Sequence, residues 1–224
     1  MYLVSTMVFP SMFFWFFAVP SIQDLPGAKL LTGSFCAFAV LGVVFFQLAV
    51  QTAHERGLAW SRYLRCLPLN PFEIVWSRLL ASVVLAVAAV FAVLGTALLT
   101  TPLHWQDVEV LRLLGALLLA SLPFVLWGLI IGYLVSSKAA VPVANLVYLP
   151  LSFAGGLWMP KHILPKMIQD LAPVMPTRML GEVAWAVVLQ HEMPQESVVG
   201  LTVTAAVGAF IFVCISRRES SRRG

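Results

Sequence analysis

Charge is what this sequence has least of. Fourteen of its 224 residues are Lys or Arg and ten are Asp or Glu, which makes 11% in all, whereas 60% are hydrophobic. A soluble domain is nearer to about 45–50% apolar. Apolar runs of roughly 20 residues recur, each long enough to cross a ~30 Å hydrocarbon core. The composition predicts an all-α polytopic membrane protein, and a net charge of +4 does not indicate a nucleic-acid partner.

The motifs of soluble chemistry are also missing. Cys36, Cys66 and Cys214 are odd in number and lack metal-like spacing, so no disulfide framework is indicated. No G-x-x-x-x-G-K-[ST] loop is present to hold nucleotide phosphates, and His54-Glu55 lacks the second histidine of H-E-x-x-H. We therefore expect no catalytic residue, no bound cofactor and no metal on this chain, and a membrane-embedded enzyme is disfavoured.

The apolar runs predict six transmembrane helices in a single transmembrane domain over 1–224. The predicted spans are about 3–20, 30–50, 79–100, 113–135, 139–159 and 198–216. Segment 51–78 separates spans two and three, and segment 160–197 separates spans five and six.

The distribution of basic residues fixes the expected orientation. With both termini inside, nine of the fourteen basic residues fall on the cytoplasmic side, in agreement with the positive-inside rule. The nine are Arg56, Arg62, Arg65, Arg78, Lys138, Arg217, Arg218, Arg222 and Arg223. The acidic loop 101–111 then lies outside. We expect 51–78 to be cytoplasmic and 160–197 to be external.

Segment 51–78 concentrates the scarce charge of the chain. Its first part is amphipathic at helical spacing over 58–67, which predicts an interfacial helix that ends at Pro68. Asn70 as N-cap, Pro71 at the first helical position and Glu73 predict that span three begins near Pro71, in water. Leu67-Pro68-Leu69 is the predicted hinge between the two helices. An ordinary solvated loop is the alternative.

The external segment 160–197 is divided by prolines into short pieces. Residues 166–172 and 177–190 are predicted to be helices at, or dipping into, the outer membrane surface. Glu182 is the acid within the apolar second piece. It could gate the exit or contact substrate, since ionisable groups at membrane depth are costly. It could equally pair with Arg178, one helical turn earlier.

The spacing of Gly128 and Gly132 in span four permits close approach of another helix. Two alternatives remain open for that helix: packing within one subunit, or an interface between two subunits.

Two motifs carry a family resemblance. ERG…RYLRCLPLNPFEIVWSRLL (55–80) is similar to the region between spans two and three of ABC-2 type ABC transporter permeases. FAGGLWMPKHILPKMIQDLAPVMPTRML (153–180) is similar to that family's region before the last span. Both occur in the family's order and on opposite predicted sides of the membrane. The chain resembles the transmembrane subunit of an ABC exporter.

The resemblance implies partners and site residues. It implies a homodimer or heterodimer of permeases with two ABC ATPase subunits, which bind the ATP and magnesium. It makes 51–78 a coupling region that docks on the ATPase, with candidates Glu55, Arg56, Gly57, Arg62, Arg65, Leu67, Pro68, Leu69 and Glu73. Spans two and five would line the substrate path with Gln47, Asn145 and Tyr148, or these residues would form hydrogen bonds between helices. The predicted external gate comprises Gly155, Gly156, Pro160 and Glu182.

The chain departs from the family at its start. Members carry an amphipathic elbow helix before span one, whereas Met1 here stands almost at the predicted membrane boundary. We expect either no elbow or an earlier start, which leaves open the lateral gate that the elbow frames.

The expected function is ATP-driven export of a lipophilic or amphipathic substrate, such as a drug, lipid or glycan, across the bacterial cytoplasmic membrane. Few charges in the spans argue against a small ion as substrate. The alternatives are a membrane scaffold or assembly factor without transport, and a secondary transporter, although no inverted repeat or midplane charge is evident.

Overall fold

A computed structural model describes residues 2–58, 71–103, 105–159 and 165–221, with side chains described for 8–58, 76–103, 105–159 and 165–215. All secondary structure in these ranges is helical, as the composition predicts. The α-helices are α1 Tyr2–Phe13, α2 Leu25–Leu41, α3 Leu48–Gly57, α4 Pro71–Thr100, α5 Asp107–Ala120, α6 Leu122–Leu134, α7 Ala140–Ala154, α8 Lys166–Leu171, α9 Pro176–Val188 and α10 Gln195–Ser221.

The central element is the continuous helix formed by α2, a π-helical segment Gly42–Gln47 and α3. It runs for 33 residues, well beyond the predicted span 30–50. Asp24 caps its start by accepting a hydrogen bond from the Gly27 N–H at 2.9 Å. Phe35 and Phe38 are fully buried, as are the small residues on the other faces. A helix that is apolar all round is a buried helix, and α1, α4, α6, α7 and α9 pack around this one.

Helix α4 covers one side of α2 with a stripe of small residues. Ala86, Ala89, Val93 and Ala97 are fully buried at helical spacing, and α4 packs against both α1 and α2. The opposite face of α4 is exposed and apolar. This division is typical of a helix with one face on protein and one face on lipid. Helix α4 is described from Pro71 onward, and the predicted N-cap Asn70 lies outside the described residues.

The predicted span 113–135 is a bent pair of helices. Helices α5 and α6 meet at Ser121 at an angle of 44°. Pro123 lies in the first turn of α6, where a proline is tolerated because its missing N–H would have no intrahelical acceptor. The same missing N–H interrupts the hydrogen-bond ladder from α5. Pro123 was therefore the available signal for a break within this span.

The described residues include three helices that are long and apolar enough to cross a membrane, or four if the bent pair counts as one span. Two apolar segments, Val8–Ser21 and Ala140–Ala154, are shorter. The chain is thus a multi-pass helical protein, and the six-span count stays a prediction. Predicted span 139–159 differs in its end, since α7 stops at Ala154 and a turn follows in which Gly156 has φ 74°.

Helices α8 and α9 match the two short helices expected in 160–197. Helix α9 packs against α2, α5 and α10, and its position at, or dipping into, the outer membrane surface stays a prediction. Leu180 and Ala184 on its inner face are fully buried. Its neighbour α10 is mostly exposed, and it is fastened to the bundle through α6 and α9.

Candidate functional site

The C-terminal end of the central helix, on the side predicted to be cytoplasmic, carries a group of polar residues that we call the inner polar cluster. Arg78 of α4 places its Nη2 atom 2.6 Å from the Glu55 Oε2 atom of α3. The same guanidinium donates to the Thr52 hydroxyl at 3.1 Å, and the Gln51 amide donates to the other Glu55 oxygen at 2.9 Å. The side chains of Arg78 and Glu55 are 15% and 32% exposed. Because this ion pair is partly screened, its net stabilisation is modest, on the order of 1 kcal/mol.

The neighbouring residue, Arg56, faces the other way. Its guanidinium donates to the backbone carbonyls of Gly132 and Tyr133 at the end of α6, and it lies 5.1 Å from the centre of the Tyr133 ring. Two residues earlier, the His54 Nδ1 atom is 2.6 Å from the Ser137 hydroxyl. The end of α3 is therefore joined to α4 on one side and to α6 on the other.

This cluster brackets the predicted coupling region. Helix α3 ends at Gly57, and Leu58 is extended. Arg62, Arg65, Leu67, Pro68 and Leu69 lie outside the described residues. Glu73 lies in the first turn of α4, with its side chain outside the described part.

Glu55 and Arg56 therefore each contact partners that the sequence did not indicate. Those partners come from segments 23 to 77 residues away in the chain.

The residues predicted for the substrate path lie at different depths in the fold. Tyr148 is buried, stacks on Phe38 with ring centres 5.0 Å apart, and donates its hydroxyl to the Phe38 carbonyl at 3.0 Å. This matches the interhelical hydrogen bond that was the alternative interpretation. Gln47 is buried in the π-helical segment, and Asn145 is half-buried on α7. A role for the three in a path stays a prediction.

Gly155, a predicted gate residue, lies where α7 meets the start of α9. A Cβ atom at this position would lie 2.5 Å from the Thr177 hydroxyl oxygen and 2.9 Å from the Arg178 nitrogen. The Thr177 hydroxyl donates to the Leu151 carbonyl at 2.6 Å. Glycine is thus required for close packing here, and Gly156 supplies the left-handed turn. Pro160 lies outside the described residues.

Glu182 lies in a network of charged, hydroxyl and indole groups. The Arg178 Nε atom donates to one carboxylate oxygen at 2.8 Å, and the Ser197 hydroxyl at the start of α10 donates to the other at 2.5 Å. Arg178 also lies 4.3 Å from the Trp185 ring centre, whose indole N–H donates to the Ser34 hydroxyl at 2.6 Å. The predicted pair with Arg178 is present, and Glu182 also ties α9 to α10.

A second cluster on the side predicted to be external was not expected from the sequence. Lys29 on α2 lies 3.2 Å from a Glu109 oxygen on α5, and the Gln190 amide donates to the same oxygen at 2.9 Å. Burial raises the pKa of the Glu109 carboxyl, but hydrogen bonds from Lys29, from the Gln106 N–H and from Gln190, together with the Lys29 charge, outweigh it and hold the pKa below its usual value. No local pattern could have shown this contact, since its members are about 80 residues apart.

Metal binding has no support in the described part of the chain. Within those ranges, no group of three or more His, Cys, Asp or Glu side chains lies close enough to hold an ion. The polar groups described instead join helices at the two ends of the bundle. Such an arrangement ties helices together at their ends, and many large apolar side chains are exposed on the surface of the bundle.

Comparison with known proteins defines the class. The family model described as ABC-2 type transporter matches residues 1–189, and the chain belongs to this family. It is also similar to the protein named "Putative transport permease YvfS" of Bacillus subtilis (strain 168). The two are 24% identical over 192 residues, which cover 82% of this chain and 76% of the relative. The family is one of transport permeases, which agrees with the apolar helices of a multi-pass membrane protein.

Proposed function

We propose that this chain is the permease subunit of an ATP-driven exporter. It works as a dimer, with itself or with a second permease, together with two separate ABC ATPase subunits that bind ATP and magnesium. By alternating access it moves a lipophilic or amphipathic substrate out across the bacterial cytoplasmic membrane. The observation that carries the proposal is the family match over residues 1–189.

The inner polar cluster supports ATPase coupling through 51–78. The Glu55–Arg78 ion pair ties together the two helices from which residues 59–70 emerge. A partner that displaces this segment therefore acts directly on the ends of α3 and α4. Its arginines, Arg62 and Arg65, are the proposed contacts with the ATPase, because charged groups at a rim steer and orient a partner.

Six spans with both termini in the cytoplasm are the proposed topology. The three long helices and the bent pair α5–α6 supply four spans. The segments Val8–Ser21 and Ala140–Ala154 supply the others. Fifteen helical residues in α7 reach about 22 Å, short of a ~30 Å core. The turn after Ala154 and the packed helix α9 would fill the remaining depth on the outer side.

The substrate class follows from the low charge of the bundle. The ion pairs given above lie near its ends, at Glu55–Arg78 on one side and at Lys29–Glu109 on the other. An ion crossing the apolar middle would meet a large desolvation cost. Lipophilic or amphipathic molecules avoid most of that cost. Export as the direction of movement rests on the family.

Affinity purification of the permease from its native host tests the proposal. We expect a stoichiometric complex in detergent, with ATP hydrolysis that lipophilic or amphipathic compounds stimulate. If no nucleotide-binding subunit co-purifies under several solubilisation conditions, a scaffold becomes the better account and the exporter proposal fails.

Charge reversal within the coupling region gives a sharper test. We predict that Arg62→Glu plus Arg65→Glu weakens ATPase binding at least about ten-fold, because like charges at an interface cost several kcal/mol. Transport per ATP hydrolysed should fall while the permease stays folded. Arg222→Glu plus Arg223→Glu, the same charge change in the C-terminal tail, is the matched control. Normal transport in the first double variant at normal expression would rule out the coupling role.

A further inference from the structure

Helix α6 ends at the point where Arg56 reaches it. The last four carbonyls of an α-helix lack intrahelical donors. In α6 the Ile131 carbonyl accepts from the Val135 N–H at 2.9 Å, and the next two carbonyls, of Gly132 and Tyr133, accept from Arg56. The helix C-terminus also carries partial negative charge, which a guanidinium stabilises. Arg56 thus serves as the C-terminal cap of a helix 76 residues away in the chain.

Helices α3 and α6 are packed closely, backbone against backbone. A Cβ atom on Gly132 would lie 2.8 Å from the Ala49 carbonyl oxygen and 2.6 Å from the Thr52 Cβ. The two backbones are therefore already in contact. The His54–Ser137 hydrogen bond adds a second tie just beyond the end of α6. A shift of the end of α3 must carry the end of α6 with it, because close-packed helices move as bodies.

Tyr133 extends this contact to the last helix. One side of its ring faces the Arg56 guanidinium at 5.1 Å. The ring also meets Phe212 of α10 edge-on, with centres 5.8 Å apart and an interplanar angle of 67°. One turn earlier in α10, a Cβ on Gly208 would lie 3.3 Å from the Leu126 Cβ. Helices α6 and α10 are thus in close contact at this depth.

We propose that Arg56 is a positioning residue that carries movement of the coupling segment into α6 and, through Tyr133 and Phe212, into α10. This inference rests on the proposed function. The sequence alone suggested that movement of the coupling segment passes by a single route, through the Leu67-Pro68-Leu69 hinge into α4. The contacts add a second route, from Arg56 into α6, on the opposite side of the central helix. Its far end is Ser197, which donates to Glu182 in the outer network.

Arginine is required at position 56 for a geometric reason. Its Nη1 atom donates to two carbonyls while its planar guanidinium lies over the Tyr133 ring, whereas lysine presents a compact point charge on a flexible stem. Tyr133 is required as a ring, and its hydroxyl takes no part in the two ring contacts. Tyr133→Phe therefore keeps the route, and Tyr133→Leu breaks it.

Movement of α10 can be followed through a native thiol, in an experiment that does not require the substrate to be known. Cys214 is exposed two residues beyond Phe212, and Cys36 is buried. In a Cys66→Ser background, Cys214 is labelled with an environment-sensitive fluorophore, and the permease–ATPase complex is placed in lipid nanodiscs. The signal is compared in the nucleotide-free state and after trapping with ADP and vanadate.

We expect a trapping response in the parent protein and in Tyr133→Phe. The response should fall about five-fold in Tyr133→Leu and in Arg56→Lys, since a partly exposed cation–π contact is worth up to about that factor. Both variants should still trap vanadate. Phe212→Leu, with Phe212→Tyr as control, repeats the test on the α10 side if Tyr133→Leu does not fold.

Equal responses in Tyr133→Leu and Tyr133→Phe, with trapping intact, would overturn the inference. So would a parent complex that traps vanadate without any change at Cys214. Failure of the ATPase to co-purify is a different result, because it removes the proposed function itself.

Discussion

Substituting Gly128 with alanine tests how α6 lies against the central helix. A Cβ atom at this position would lie 2.8 Å from the Phe45 carbonyl oxygen and 2.9 Å from the Val44 carbonyl oxygen. Both atoms belong to the main chain of the π-helical segment Gly42–Gln47. No side-chain rotation can relieve the contact, so the two helices must separate.

The magnitude follows from two opposing effects. Forcing an extra methyl into a packed core costs roughly 1–3 kcal/mol, whereas alanine gains about 1 kcal/mol over glycine as a helix former. Gly115 on α5 supplies the control, because nothing lies within 4 Å of a Cβ at that position. Gly115→Ala therefore gains the helix propensity of alanine without the packing cost. The difference between the two variants isolates the packing cost of about 1–3 kcal/mol.

The assay is unfolding of the purified permease in one detergent, followed by the midpoint of thermal aggregation and by titration with a denaturing detergent. We expect Gly128→Ala to unfold below the parent protein and Gly115→Ala to unfold at or above it. Equal midpoints for the two variants would refute the close contact. Dissociation of a dimer by Gly128→Ala, with the protomer as stable as the control, would favour the subunit-interface alternative instead.

Two further predictions concern the helix ends on the side predicted to be external. Glu182→Gln and Arg178→Gln should lower protein level and thermal midpoint by similar amounts. Each should reduce the free energy of unfolding by less than about 1 kcal/mol, because the pair is partly exposed. Loss of transport in Glu182→Gln alone would favour a gate or substrate contact. The pKa of Glu109 is lowered in the folded protein. Its ion pair with Lys29 therefore stabilises the fold at pH values above the pKa of the unfolded chain, which is about 4.3. This contribution disappears as the pH falls through the pKa of the folded protein. Glu109→Gln should therefore lower the thermal midpoint at pH 7 and match the parent in acid; a gap that widens as pH falls would contradict this.

Local chemistry in the sequence was enough to find several elements. Proline at the first helical position predicted a helix beginning near Pro71, because a proline there loses no hydrogen bond, and α4 is described from Pro71 onward. The prolines in 160–197 delimited α8 and α9 for the same reason. The pairing of Arg178 with Glu182 was also readable, since residues four apart share one helix face.

Other features depend on which helices become neighbours. The glycines at 128 and 132 indicated a close approach, but two candidate partners remained until the fold placed Phe45 and Ala49 against them. Burial of α9 was also not predictable, because its composition is equally suited to a membrane surface. Hydropathy measures the preference of a segment for an apolar medium, and it does not distinguish lipid from the interior of a protein.

The sequence by itself determined the class of protein, the helical pieces and the absence of a nucleotide-binding loop, because each of these depends on composition or on residues within a few positions of one another. Only the tertiary structure decided that Glu55 and Arg56 face different helices. The fold joins Glu55 to Arg78 and Arg56 to the end of α6. Adjacent residues on a helix point about 100° apart, so the partners of each depend on how the bundle packs around it.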